Sequence, residues 1–235
     1  MKNLNSIIII PARKGSKGLP NKNIKKLQSK PLIKYSIEFA LKIKKNNDII
    51  CVSSDDERIE KIVENIKNIE FIKRPKNISN DTTPMESVIK HSLNEFEKKN
   101  ISFNSIILLQ PTSPIRKIID YKNLIRKFNK NIDMVVSVRE AKENPYYSLY
   151  EEDHENNLIK SKYSEITRRQ DAPKVYCLNG SFFMINTDSL KKKSISNFSK
   201  IKKVVMPYNR SIDIDSIQDW NYIKFLVESK KLNLK

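Results

Sequence analysis

Ser6-Ile7-Ile8-Ile9-Ile10-Pro11-Ala12-Arg13-Lys14-Gly15-Ser16-Lys17-Gly18 is the stretch on which the fold turns. Four consecutive β-branched residues stopped by proline predict a short strand over 6–10, buried on both faces as strands of parallel sheets are. The loop that follows, 11 to about 27, carries two of the three glycines in the chain. A domain of this size ordinarily holds about 7% glycine. A chain this sparing keeps glycine where the backbone permits little else, so the loop is the first place to look for function.

Outward from this segment, helical and extended patterns alternate. Helices are predicted over 31–44, with Pro31 at the first helical position, and over 57–66, 84–98, 117–129 and 215–227. The last of these is expected to bury Ile217, Trp220, Ile223 and Val227 on one face. Strands are predicted over 48–53, 69–72, 105–109, 133–138, 181–186 and 202–206. Strands alternating with helices of this length imply βαβ units, hence an α/β fold with a mostly parallel sheet flanked by helices. Ligands of such sheets sit at the carboxyl ends of the strands, where the glycine loop lies. Residues 140–175 break the pattern: they are polar and turn-rich, and read as an arm inserted within a single domain spanning 1–235.

Composition narrows the function classes. The 235 residues carry a net charge of +18, which raises a nucleic-acid hypothesis. The lysines, however, run along the whole chain without the interleaved aromatics of a single-strand groove, so no nucleic-acid partner is expected. The charge does favour anionic substrates. No apolar run approaches the ~20 residues of a membrane span, and no export signal precedes the first strand. A soluble cytoplasmic protein with no membrane partner is expected. The two cysteines, Cys51 and Cys177, form neither a disulfide framework nor a zinc cluster.

Four constellations carry chemistry. The first loop combines Arg13, Lys14, Lys17 and Lys22 with Gly15, Ser16 and Gly18; backbone amides and cations together suit a polyphosphate. Its spacing is neither that of a P-loop nor that of a dinucleotide fingerprint. Asp213 and Asp215, two positions apart in an extended segment, share one side and can hold a hard cation. Asp215 can equally cap the helix that follows, and the spacing leaves both readings open. Gln110-Pro111-Thr112-Ser113-Pro114 presents an amide and two hydroxyls at a strand end. Arg168-Arg169-Gln170 places adjacent guanidinia in a lysine-biased chain, suited to planar contacts with carboxylate or phosphate, or to a surface ion pair. His91 and His154 read as structural.

Ile10-Pro11-Ala12-Arg13-x-Gly15-Ser16-Lys17-Gly18-x-x-x-Lys22-Asn23 resembles the signature of the acylneuraminate cytidylyltransferases, the CMP-sialic acid synthetases. Further segments fall in that family's order: Lys73-Arg74-Pro75, Asp81-Thr82-Thr83 with Ser87, the 109–114 segment, Arg169-Gln170, Asn179-Gly180 and Ser211-Ile212-Asp213-Ile214-Asp215. The resemblance implies a Rossmann-like nucleotidyltransferase fold that joins CMP from CTP to the anomeric hydroxyl of a nine-carbon 2-keto sugar acid. It implies that Arg13 and Lys22 serve the triphosphate, with Ala12, Gly15, Ser16, Asn23, Arg74 and Ser87 at nucleotide-contacting positions. Gln110, Thr112 and Ser113 fall at the sugar-acid pocket. Arg169 and Gln170 approach that pocket from a partner subunit's arm, making 140–175 a dimerisation element of a homodimer. Asp213 and Asp215 match Mg²⁺ ligands. Phe183 stands at a sugar-side position where the family commonly has tyrosine, so any phenolic contact is absent. Legionaminic acid, pseudaminic acid and the eight-carbon Kdo are the alternative sugar acids, and a basic nucleic-acid binder is the remote alternative.

Overall fold

The computed structural model describes residues 5–232. The expected β-branched run forms strand β1 (Ser6–Pro11), buried at every position. It is followed by the short hairpin β2 (Lys26–Leu27) and β3 (Lys30–Pro31), which the periodicity does not reveal, and by helix α1 (Leu32–Ile43). Then come β4 (Ile49–Ser54), α2 (Glu57–Glu64), β5 (Ile69–Lys73), α3 (Met85–Glu97), β6 (Ser105–Leu108), α4 (Ile118–Lys127) and β7 (Met134–Glu140). The arm holds a small antiparallel pair, β8 (Tyr150–Glu152) and β9 (Leu158–Lys160). Strand β10 (Tyr176–Asn186), the short α5 (Thr187–Lys192), β11 (Ile201–Val205) and α6 (Ile217–Glu228) complete the order.

Seven strands form one sheet in the order β11-β7-β10-β6-β1-β4-β5. All neighbours pair parallel except β10, which runs antiparallel to both β6 and β7. The mostly parallel α/β sheet expected from the sequence is therefore present. Alternation along β1 divides the core. Ile8 and Ile10 face α1, α2 and α4 through Ile33, Ile37, Ile59, Val63 and Leu124. Ile7 and Ile9 face α3 through Ile89, Leu93 and Phe96. A third cluster seats α6 against the 26–35 region through Leu27, Leu32, Trp220 and Ile223. Among the described residues, no helix is long and apolar enough to cross a membrane.

Three local expectations are corrected. Pro31 is the N-cap of α1 rather than its first residue, in extended conformation with ψ 139°. Ile217 is 46% exposed because α6 turns its Trp220–Ile223–Val227 stripe inward and leaves its first residue at the rim. Ser216, not Asp215, caps α6: its hydroxyl accepts from the Asp219 amide, and the Asp219 carboxylate accepts in return from the Ser216 amide, a reciprocal capping box.

The chain leaves β1 for β4 and β5 on one side, then returns to β6 on the other side of β1. This reversal opens a crevice at the carboxyl ends of β1 and β6, where open α/β sheets bind ligands.

Candidate active site

A cavity of about 480 Å³ lies in that crevice. The first loop enters it from the end of β1 and supplies Arg13, Ser16, Lys17, Lys22 and Asn23 to its wall. Asn23 is buried and its Nδ2 donates to the Arg13 carbonyl at 3.1 Å, holding the loop's two ends together. Gly18 is required for a different reason than phosphate contact. A Cβ there would collide with the Asp215 carbonyl, so glycine allows the loop to lie against the segment bearing the aspartates.

The cations of this wall already face carboxylates. The Lys22 Nζ lies 2.7 Å from Asp215 Oδ1, and Lys17 Nζ lies 3.1 Å from Asp81 Oδ2. The Arg13 guanidinium also pairs with Asp81. Arg74, just past β5, is 5% exposed and donates through Nη2 to the Ser53 carbonyl at 2.7 Å. It has no ion-pair partner among the described residues, and burial pulls its pKa down to about 10 against the favourable field of Asp55. A buried guanidinium without a counter-ion is a seat for an anion.

The opposite wall is built around Gly180. Strand β10 loses register between Leu178 and Phe183, forming a bulge at 179–182. Gly180 adopts a φ of +69°, and a Cβ on it would stand 2.6 Å from Gln110 Oε1, 2.8 Å from Ser113 Oγ and 3.1 Å from Asp213 Oδ2. Absence of a side chain here brings the amide of Gln110 and the carboxylate of Asp213 to one point. Asn179 is 1% exposed and holds the bulge: it accepts from Ser137 Oγ at 2.6 Å and donates to Ser211 Oγ at 2.9 Å. Burial raises the Asp213 pKa, the Thr112 hydroxyl opposes this, and neighbouring Asp215 raises it further.

Of the residues singled out in the sequence, Arg13, Ser16, Lys17, Gly18, Lys22, Asn23, Arg74, Gln110, Pro111, Thr112, Asp213 and Asp215 all line this one cavity. The other expected nucleotide- and sugar-contacting residues do not. Ala12 is buried, its carbonyl accepting from Ser54 Oγ at 2.5 Å. Gly15 lies on the loop with a φ of +67°, outside the lining. Ser87 sits in the first turn of α3, beside Met85 and Val88, which do line the cavity. Ser113 is fully buried and donates to the Asn179 carbonyl at 2.9 Å, so its hydroxyl faces the wall's interior. Phe183 pairs with Leu108 across β10 and β6 and packs into the core on the α3 side. Arg169 and Gln170 stand exposed on the arm, where Arg169 Nη2 donates to the Lys142 carbonyl at 2.8 Å.

Sequence reasoning passed over Asn80 and named Asp81 and Thr83 only within a family-ordered segment, without a site role, although all three line the cavity. Their signal is the run Ser79-Asn80-Asp81-Thr82-Thr83-Pro84, a turn-forming segment shortly after a strand's carboxyl end. It also left out Arg116, which ties the Gln110 segment to the bulge.

The family model described as cytidylyltransferase matches residues 7–230. Over 228 residues the chain is 33% identical to a CMP-N,N'-diacetyllegionaminic acid synthase of Campylobacter jejuni, with 96% of each chain covered. It is 30% identical over 222 residues to an N-acylneuraminate cytidylyltransferase of Streptococcus agalactiae, covering 92% of this chain and 52% of that protein. Among solved structures, a CMP:2-keto-3-deoxy-manno-octonic acid synthetase complexed with CTP shares the fold. The TM-score is 0.68 at 16% identity, over 96% of this chain and 99% of that one.

Proposed function

The chain belongs to the cytidylyltransferase family, and from that premise we propose that it transfers CMP from CTP to a nine-carbon 2-keto sugar acid. The enzyme is a nucleotidyltransferase. The acceptor is N-acetylneuraminic acid or one of its legionaminic and pseudaminic relatives. The observation that carries the reading is the convergence of four cations, Arg13, Lys17, Lys22 and Arg74, with Asp213, Asp215 and Gln110 on one crevice at the β1/β6 reversal.

The sugar's anomeric hydroxyl attacks the α-phosphorus of CTP and gives up its proton to solvent, the bond from that phosphorus to the bridging oxygen breaks, and pyrophosphate leaves with that oxygen. Transfer of this kind depends on positioning and charge neutralisation more than on covalent help from the protein. A bound triphosphate exchanges with the carboxylates that now occupy Arg13, Lys17 and Lys22. The freed cations then meet the phosphate oxygens, and Arg74 offers a desolvated charge at the same wall. Gln110 and Thr112, on the Asp213 side, are placed to orient the acceptor's hydroxyls.

Asp213 and Asp215 fit Mg²⁺: both line the cavity, their oxygens are hard donors, and Asp213 lacks an ion-pair partner among the described residues. Mg²⁺ is commonly held by one or two carboxylates together with substrate phosphates, and there it would neutralise charge developing on the α-phosphate and pyrophosphate. The arm, with Leu158, Ile159 and Tyr163 exposed, supports a homodimer in which Arg169 and Gln170 serve the partner's acceptor pocket. Neither nucleic acid nor membrane is a partner in this reading.

Among the acceptors, legionaminic and pseudaminic acids are favoured by relatives of matching length, at 33% and 30% identity, whereas the N-acylneuraminate relative is about twice as long. The test is pyrophosphate release from CTP and Mg²⁺ with N-acetylneuraminic, N,N'-diacetyllegionaminic and pseudaminic acids and Kdo in parallel. Release with a nine-carbon acid is expected. Release with Kdo alone, or with none while CTP binds, would overturn the proposed acceptor.

A further inference from the structure

Arg116 lies just after the Gln110 segment and makes three hydrogen bonds, each to a different element. Nη2 donates to the Gln110 carbonyl at 2.7 Å, Nε to the Ser181 carbonyl at 2.9 Å, and Nη1 to Ser36 Oγ on α1 at 3.0 Å. The Ser36 hydroxyl also reaches the Gln110 carbonyl, at 3.4 Å. The guanidinium lies 5.6 Å from the Phe182 ring centroid and has no ion-pair partner among the described residues. Burial lowers its pKa, to about 9, and the Asp213 carboxylate opposes that. The residue is therefore a cation held next to the site without a counter-ion of its own, joined to both sides of the point where Gln110 meets Gly180.

We infer that Arg116 is a positioning residue for the transfer reaction, setting the separation between the Gln110 carbonyl and the Ser181 carbonyl and hence the placement of the Gln110 amide against Asp213. The inference deepens the proposed function and rests on it. Planarity is the reason arginine is needed. One rigid fork satisfies three acceptors in different directions, whereas a lysine ammonium on a flexible stem keeps the charge but cannot span them. Arg116 stands behind the wall and outside the cavity lining, so it acts on Gln110 and the bulge rather than on the nucleotide. Its loss should spare CTP binding and impair acceptor use and turnover.

The experiment compares wild type, Arg116→Lys and Arg116→Gln, with Arg126→Lys on the exposed face of α4 as control. CTP affinity is measured by calorimetry, pyrophosphate release by steady-state kinetics, and the Gln110 side-chain amide by NMR, assigned from Gln110→Ala. Arg116→Lys is expected to hold the CTP dissociation constant within about twofold while kcat/KM for the acceptor falls about 30-fold or more, as small misplacements near a reacting centre do. The Gln110 amide resonance should move in both Arg116 variants and stay in place in the control. Turnover by Arg116→Lys within about threefold of wild type, or CTP affinity falling in step with turnover, overturns the inference. If the Arg116 variants do not fold, Ser36→Ala, which removes one acceptor of the same fork, decides by the same split: acceptor kcat/KM must fall with CTP affinity retained. If wild type releases no pyrophosphate with any acceptor, the proposed reaction fails, and the Gln110 resonance still judges whether Arg116 positions that side chain.

Discussion

Gly180→Ala would place a methyl group where Gln110 Oε1, Ser113 Oγ and Asp213 Oδ2 meet, on a backbone whose φ of +69° disfavours any side chain. Both effects push the same way. The variant should lose about 1–3 kcal/mol of stability in denaturant melts and most of its turnover, because the wall can yield only by moving Gln110, Asp213 or the Ser113 hydroxyl that lies between them and Asn179. Asp81 offers a prediction of the opposite sign. Its carboxylate pairs with Arg13 and Lys17, so an incoming triphosphate must displace it. Asp81→Asn should tighten CTP binding by about threefold or more at low ionic strength, with the gain shrinking as salt screens the pairs. Unchanged or weaker binding in calorimetry would show that Asp81 does not compete with phosphate. Asp215→Asn should leave the fold intact, since Ser216 and Asp219 make the α6 cap. It should also lower kcat by about a hundredfold or more at every Mg²⁺ concentration, if the aspartate pair is the metal seat. Near-normal turnover at saturating Mg²⁺ removes Asp215 from that role.

At the scale of elements, β10 is where periodicity read least. Its tail, 181–186, is legible as the continuous apolar run Phe182–Ile185, but Asn179 and Gly180 look like a turn when read locally. They lie inside an 11-residue strand because Asn179 replaces the broken ladder bonds with side-chain bonds to Ser137 and Ser211. The hairpin of β2 and β3 is two residues per strand, below the length at which alternation can register. The start of β7 depends on Asp133, which is 6% exposed. It accepts from Lys193 Nζ at 2.9 Å, from Ser189 Oγ at 2.8 Å, and from the amides of Ser199 and Lys200. The Lys193 ammonium first, then the Lys200 amide, hold its carboxyl well below the usual range. A carboxylate whose pKa is depressed by folding contributes stability that is complete above the ordinary Asp value of about 3.9 and fades as pH falls toward the folded value. Asp133→Asn should therefore cost about 2 kcal/mol near neutrality, and its deficit relative to wild type should narrow below about pH 4. A pH-independent deficit would mean the carboxylate's charge is not what joins β7 to α5 and β11.

For the whole molecule, the arm and the assembly decide whether the site is complete. Arg169 and Gln170 stand on the arm, away from the cavity lining of their own chain, and the same arm exposes Leu158, Ile159 and Tyr163. If the arm mediates a homodimer, Leu158→Asp combined with Ile159→Asp should shift sedimentation from dimer to monomer and lower acceptor kcat/KM, while CTP affinity, set within one chain, stays near wild type. A wild type that sediments as a monomer at micromolar concentration overturns the dimer and leaves Arg169 without a pocket to serve.

Local sequence carries the α/β class, the run of strands and helices, and most of the cavity wall. A four-isoleucine strand has only one comfortable environment, and scarce glycine marks obligatory backbone. It also placed Asp213 and Asp215 side by side, since alternation along an extended segment is local. Which residues face one another across that cavity depends on how the elements pack. The pairing of Lys22 with Asp215 and of Arg13 with Asp81, the fit of Gly18 under the Asp215 carbonyl, and the grip of Arg116 on Gln110 and Ser181 join positions distant in sequence or on separate elements. Local propensity and periodicity act over a few residues. These contacts exist because the order of strand addition reverses between β1 and β6, which run parallel, and brings strand ends and the β10 bulge to one crevice.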